Sequence, residues 1–117
     1  MSRIIIAECE PAVRALIRRM VDRIDPTLVV DEVDTGIDLL DYYADRGATC
    51  LIVDALLPRL DGLTAVRLLR DDGATVPIVV TVGHTLSDLC AYQAGASAVL
   101  FKPFDGAALR ATLDQLI

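Results

Sequence analysis

Hydrophobic and polar positions alternate along this chain in two periods. Short apolar runs at residues 4–7, 28–33, 50–53, 78–82 and 98–101 read as strands, and that at 4–7 is continuous enough to be buried on both faces. Between them the period changes to that of a helix. After Pro11, the residues Val13, Leu16, Ile17, Met20, Val21 and Ile24 fall on one helical face, while Arg14, Arg18, Arg19 and Asp22 take the other; Pro26 ends the segment. Thr35 is placed to cap a second helix running to about Ala44, with Ile37, Leu40, Tyr43 and Ala44 expected inward. A third helix is predicted over 63–70, stopped by Asp71-Asp72-Gly73. A fourth is predicted over 87–94, closed by Gly95. Asp105 caps the last, with Leu109, Leu113 and Leu116 inward.

Five strands in strict alternation with five crossover helices make a parallel sheet covered on both faces. Five units are too few for an eightfold barrel. The expected fold is therefore α/β, an open doubly wound (βα)5 sheet of flavodoxin-like type with strand order 2-1-3-4-5. At 117 residues the chain is one domain, 1–117, without room for a catalytic domain beside a DNA-binding one. Hydrophobic residues at 54% beside 24% charged fit a well-cored domain. A net charge of −6 without a basic cluster, and only 4% aromatic residues, argue against a nucleic-acid or membrane surface. No apolar run approaches the roughly 20 residues of a membrane span, and the N-terminus lacks the pattern of a signal peptide. Cys9, Cys50 and Cys90 are odd in number and far apart, which fits a reducing cytoplasm better than a disulfide framework or a zinc site.

Ligands of such sheets sit beyond the carboxyl ends of the strands, near the switch between strands 1 and 3. Glu8, Cys9 and Glu10 follow strand 1, Asp54 follows strand 3, Val82, Gly83 and His84 lie after strand 4, and Lys102 follows strand 5. Carboxylates and a lysine from distant parts of the chain thus converge on one rim. The segment Glu8-Cys9-Glu10-Pro11 has no glycine-rich phosphate loop, which disfavours dinucleotide, nucleotide and flavin binding. His84 is the only histidine, has no nucleophile partner in sequence, and reads as a loop residue.

Over essentially its whole length the chain resembles the receiver domain of bacterial two-component response regulators. The resemblance rests on Leu51-Ile52-Val53-Asp54 followed by Leu57-Pro58-Arg59-Leu60-Asp61-Gly62, on Glu8, Glu10 and Pro11, on Ala94-Gly95-Ala96, and on Phe101-Lys102-Pro103-Phe104. It implies that Asp54 is the phospho-acceptor, attacking the phosphorus of a phosphohistidine on a sensor histidine kinase or phosphotransfer protein. It implies that Lys102 pairs with that carboxylate, that the Lys102–Pro103 bond is cis, and that Mg²⁺ is held by Glu8, Asp54 and the backbone carbonyl of Leu56. A hard divalent cation offsets charge where a phosphoryl group meets a carboxylate. The output partner would meet the face of helix 4, strand 5 and helix 5, carried by Leu86, Leu89, Val99, Phe101 and the last helix. Core packing is the alternative for these apolar residues, and it is the expected one for Phe101 and Leu109.

Two signature positions depart from the family. Cys9 stands where the second acidic residue, usually the aspartate ligand of Mg²⁺, would be; a thiol is soft, Mg²⁺ prefers oxygen, and neighbouring carboxylates keep the thiol protonated. Cys9 is thus a doubtful ligand, and Glu10 as a surrogate lies further out. Val82, the fifth residue after Pro77, replaces the switch Thr or Ser, and Thr81 is one place early, on the opposite face of its strand. Val99 replaces the aromatic switch residue of many relatives. The expectation is an atypical receiver with weak dependence on Mg²⁺ and weak switching. The alternative is a degenerate receiver that works without phosphorylation, as a protein-interaction or dimerisation module. A phosphatase on this fold typically carries a second Asp two places after the nucleophile; Leu56 stands there, so the chain is not expected to be an enzyme.

Overall fold

The computed structural model describes residues 2–83 and 88–117. The expectations placed on His84, Leu86 and Ser87 lie outside the described residues. The elements run β1 (Arg3–Ala7), α1 (Pro11–Ile24), β2 (Val29–Val33), α2 (Gly36–Arg46), β3 (Cys50–Asp54), α3 (Gly62–Asp71), β4 (Ile78–Val82), α4 (Asp88–Ala94), β5 (Ala98–Phe101) and α5 (Gly106–Leu116). All strand pairs are parallel and their order is β2-β1-β3-β4-β5, as the alternation requires. Among the described residues no helix is long and apolar enough to cross a membrane.

The central strands explain their own composition. β3 and β4 are buried at every position because helices cover both faces of the sheet. Strand alternation then sorts the side chains into two layers. Ile5, Leu51, Val53, Val80 and Val82 pack with α2, α3 and α4. Ile4, Ile6, Cys50, Ile52 and Val79 pack with α1 and α5, where Leu109 and Leu113 are fully inside. Continued by two residues, this second layer leads to Glu8 after Ile6, to Asp54 after Ile52, to Thr81 after Val79 and to Lys102 after Leu100. The polar groups of the rim therefore share the α1/α5 side of the sheet.

The expected caps are present: Thr35 accepts a hydrogen bond from the Asp38 N–H at 3.0 Å, and Asp105 accepts one from the Ala108 N–H at 2.8 Å. The inward face of α2 differs from expectation. Leu39 is completely buried, whereas Ile37 is 47% exposed and Ala44 is also outside; Leu40 and Tyr43 pack at the edge of the core. Gly36 sets this phase. A Cβ there would lie 2.1 Å from the Leu60 carbonyl oxygen, so this face of the helix touches the loop and the residue three places on turns inward. Leu16 on α1 is likewise mostly outside, because Ile17 and Val21 occupy the contact with the sheet. Phe101 is 49% exposed and not core: it ends the edge strand β5 on the side of α4, opposite Val82 in register.

Candidate functional site

Each residue of the rim is held by the backbone below it. Asp54 is the last residue of β3, which runs one residue further than expected, and the next N–H, of Ala55, donates to the Thr81 carbonyl at 3.0 Å. The N–H of Leu56 donates to Asp54 Oδ1 at 3.1 Å and fixes the carboxylate from beneath. Gly62 closes the back of the site. A Cβ at Gly62 would fall 1.8 Å from the Asp54 carbonyl oxygen, so only glycine lets α3 begin there, directly after Asp61.

Glu8 leaves β1 with its N–H donating to the Val33 carbonyl at 3.0 Å. Its carboxylate accepts from the Glu10 N–H at 3.0 Å, and its carbonyl accepts from Arg14 Nη1 at 2.8 Å. From the opposite edge, the N–H of Lys102 donates to the Val82 carbonyl at 2.8 Å, and the Lys102–Pro103 bond is cis, as the resemblance implied. The Lys102 ammonium reaches across the sheet and donates to Glu8 Oε1 at 2.5 Å and to Asp54 Oδ2 at 3.1 Å. One cation thus holds two carboxylates whose side chains are only 2% and 11% exposed.

The electrostatics follow from that packing. Burial raises the Asp54 carboxyl above the usual carboxylate range, and the Glu8 charge adds to the rise; the Leu56 N–H and Lys102 oppose it without cancelling it. Burial pushes the Lys102 ammonium down, but its bonds to Glu8 and Asp54 outweigh that and hold it above the ordinary lysine value. The Cys9 thiol is raised by desolvation, then by the charges of Glu8 and Asp54.

The structure brings Glu8, Cys9, Asp54 and Lys102 together. Donor atoms of Glu8, Cys9 and Asp54 lie within 4.8 Å of one another, and Cys9 Sγ stands 4.0 Å from the Leu56 carbonyl oxygen. Glu10 is exposed and its carboxylate is not part of this group. Val82 is fully buried among the α2, α3 and α4 contacts, and Val99 packs against the same layer.

The sequence of residues 4–114 matches the family model for the response regulator receiver domain. The chain belongs to the response regulator receiver family. It is 35% identical over 104 residues to the response regulator MprA of Mycobacterium sp. (strain KMS) and 36% identical to that of Mycobacterium avium (strain 104). These matches cover 87% of this chain but 44% and 45% of those proteins, so the chain spans less than half the length of the curated relatives it matches. Among solved structures, the receiver domain of a sensor histidine kinase from Pseudomonas aeruginosa PAO1 superposes with a TM-score of 0.88 at 28% identity. The match covers 98% of this chain and 96% of that one, and that domain has a magnesium ion coordinated in its active-site cleft. A putative response regulator from Chloroflexus aurantiacus J-10-fl, at 22% identity and a TM-score of 0.90 over 98% and 96% of the two chains, shares the fold.

Three features of this receiver domain were not legible at the sequence level. Arg14 reads as a solvated helix residue, yet it braces the Glu8 carbonyl and lies 3.5 Å from Glu32 on β2. Thr81 is buried with an Oγ that has no hydrogen-bond partner among the described residues. Tyr92, on α4, is exposed and stands three residues from the exposed Leu89, on the same side of the helix. The first follows from register across the sheet, which no local pattern carries.

Proposed function

We propose that this receiver domain accepts a phosphoryl group on Asp54 from a histidine kinase or histidine phosphotransfer protein, with weak dependence on Mg²⁺ and weak coupling to conformation. The observation that carries this reading is the Lys102 ammonium bonded to both Glu8 and Asp54. In the step, Asp54 Oδ2 attacks phosphorus, a P–O bond forms, the P–N bond of the phosphohistidine breaks, and its electron pair stays on the departing nitrogen, so that a ring protonated at its other nitrogen leaves as neutral imidazole. Lys102 then exchanges part of its carboxylate contact for a phosphoryl oxygen, and the Leu56 N–H, already aimed at Asp54, holds the acyl oxygen. Burial leaves the Asp54 carboxylate poorly solvated and raises its carboxyl above the usual range, as at many functional sites. An apolar hollow of about 340 Å³ beside Lys102, lined by Val13, Met20 and Phe104 among others, leaves the approach to this edge open to a donor protein.

A divalent cation would be held by Glu8, Asp54 and the Leu56 carbonyl, and would supply charge neutralisation for the phosphoryl oxygens. Those three donors suit Mg²⁺; the thiol of Cys9 does not. The output surface is the exposed Leu89, Tyr92 and Phe101 with α5, open to a downstream protein or a second copy of the chain. We read the domain as a cytoplasmic carrier of a phosphoryl group and not as an enzyme. Val82 and Cys9 favour a second reading, a degenerate receiver that acts by binding alone. The two part on one experiment: incubation with Mg²⁺ and a small-molecule phosphodonor, followed by intact mass. A single phosphoryl adduct that Asp54→Ala abolishes is the expected result. No adduct at any Mg²⁺ concentration would overturn the phospho-acceptor reading in favour of the binding module.

A further inference from the structure

Resting on that reading of the rim as a cation-assisted acceptor site, we propose that Glu8, Cys9 and Asp54 form a mixed thiolate–carboxylate site that selects a thiophilic divalent cation, such as Zn²⁺ or Co²⁺, over Mg²⁺. Three donors of different chemistry converge within 4.8 Å, and a fourth, the Leu56 carbonyl oxygen, lies 4.0 Å from the sulfur. Bonds of about 2.3 Å to sulfur and about 2.1 Å to oxygen, set tetrahedrally, place neighbouring ligands of one zinc-sized cation roughly 3.5 Å apart. The cluster therefore closes on such an ion by an inward movement of side chains of roughly an ångström. Glu8 and Asp54 are buried and Cys9 is exposed, so the sulfur is the donor that an entering cation meets first.

Charge balance points the same way. Glu8 and Asp54 with the Lys102 ammonium leave one net negative charge at the site. A divalent cation beside a neutral thiol would turn this into one net positive charge in a partly desolvated cluster. A cation that binds sulfur as thiolate, releasing the thiol proton to solvent, leaves the site neutral. An aspartate at position 9 would give the same neutral balance with Mg²⁺. Cysteine thus moves the balanced state from a hard cation to a thiophilic one.

The test is a Co²⁺ titration of the reduced domain in a Cys90→Ser background, which removes the other exposed thiol and leaves the buried Cys50. The readout is the near-ultraviolet thiolate-to-cobalt charge-transfer band. The expected result is a band that saturates at one equivalent, is lost in Cys9→Ser, is displaced by Zn²⁺, and survives a roughly hundredfold excess of Mg²⁺. In Cys9→Asp, which has no sulfur band, Mg²⁺ should displace bound Co²⁺, read as cobalt released on dialysis. Binding of Co²⁺ without a sulfur band, a band that persists in Cys9→Ser, or displacement by equimolar Mg²⁺ would overturn the proposal. The Asp54 adduct measured by intact mass is read separately, so a failed metal preference leaves the acceptor reading standing, and a missing adduct leaves the metal result standing.

Discussion

Thr81 stands in register with Asp54 across β3 and β4, on the same face of the sheet, and its buried hydroxyl has no hydrogen-bond partner among the described residues. An unpaired buried hydroxyl costs about 1–3 kcal/mol, and valine fills nearly the same volume without it. Thr81→Val should therefore raise the urea midpoint, by about 1 kcal/mol in stability at unchanged slope. A loss of stability would show that the hydroxyl is bonded in solution.

Lys102 is the counterweight to two buried carboxylates. Replacing it by Met keeps the aliphatic stem and removes the charge, leaving Glu8 and Asp54 to repel each other in a poorly solvated rim. Breaking a buried pair in this way costs about 3 kcal/mol. Lys102→Met should lower stability by about that much at pH 7, and much less in the Glu8→Gln background. Equal losses in both backgrounds would mean that the ammonium is not carrying the pair.

Asp54 gives the pH dependence a definite sign. Its carboxyl is raised in the folded state, so the folded protein binds this proton more tightly than the unfolded chain. The associated stability is full below the unfolded value of 3.8 and is lost as pH rises through the folded value. Asp54→Asn mimics the protonated form. Its stability relative to the unsubstituted domain should improve between pH 4 and pH 7, checked by denaturant titration at both. A constant difference across that range would contradict the raised value.

Val82 is fully buried among apolar contacts and lacks a hydroxyl. A hydrogen bond to a charged acceptor is worth roughly 1.5–3 kcal/mol, or about tenfold or more in a two-state equilibrium. Val82→Thr should destabilise the unphosphorylated domain and enlarge the response of the α4–β5 face when beryllofluoride, a phosphoryl mimic, is added. Chemical shifts of Leu89 and Val99 report it. An identical response in both proteins would place the switch elsewhere.

Most of the fold was legible because it is written in local pattern. Five apolar runs, the caps Thr35 and Asp105, and crossover handedness together leave few topologies. The convergence of Glu8, Asp54 and Lys102 followed from the rule that polar residues at strand ends share one rim. The phase of α2 was not legible: the contact between Gly36 and Leu60 turns Leu39 inward and is nonlocal. Phe101 was ambiguous for a related reason. An apolar residue at the end of an edge strand looks like core in sequence, and only the layout of neighbouring elements shows its face to be open. The grip of Lys102 on both carboxylates and the brace of Arg14 on Glu8 needed the register of distant strands.

The central claim is that Cys9 detunes a phospho-acceptor site that keeps Glu8, Asp54 and Lys102 in place. The most direct measurement is the rate of phosphoryl-adduct formation at Asp54 as a function of Mg²⁺ concentration, in the unsubstituted domain and in Cys9→Asp. The expected result is that Cys9→Asp reaches its half-maximal rate at roughly tenfold lower Mg²⁺ or less, with both adducts requiring Asp54. The same Mg²⁺ dependence in the two proteins would contradict the account.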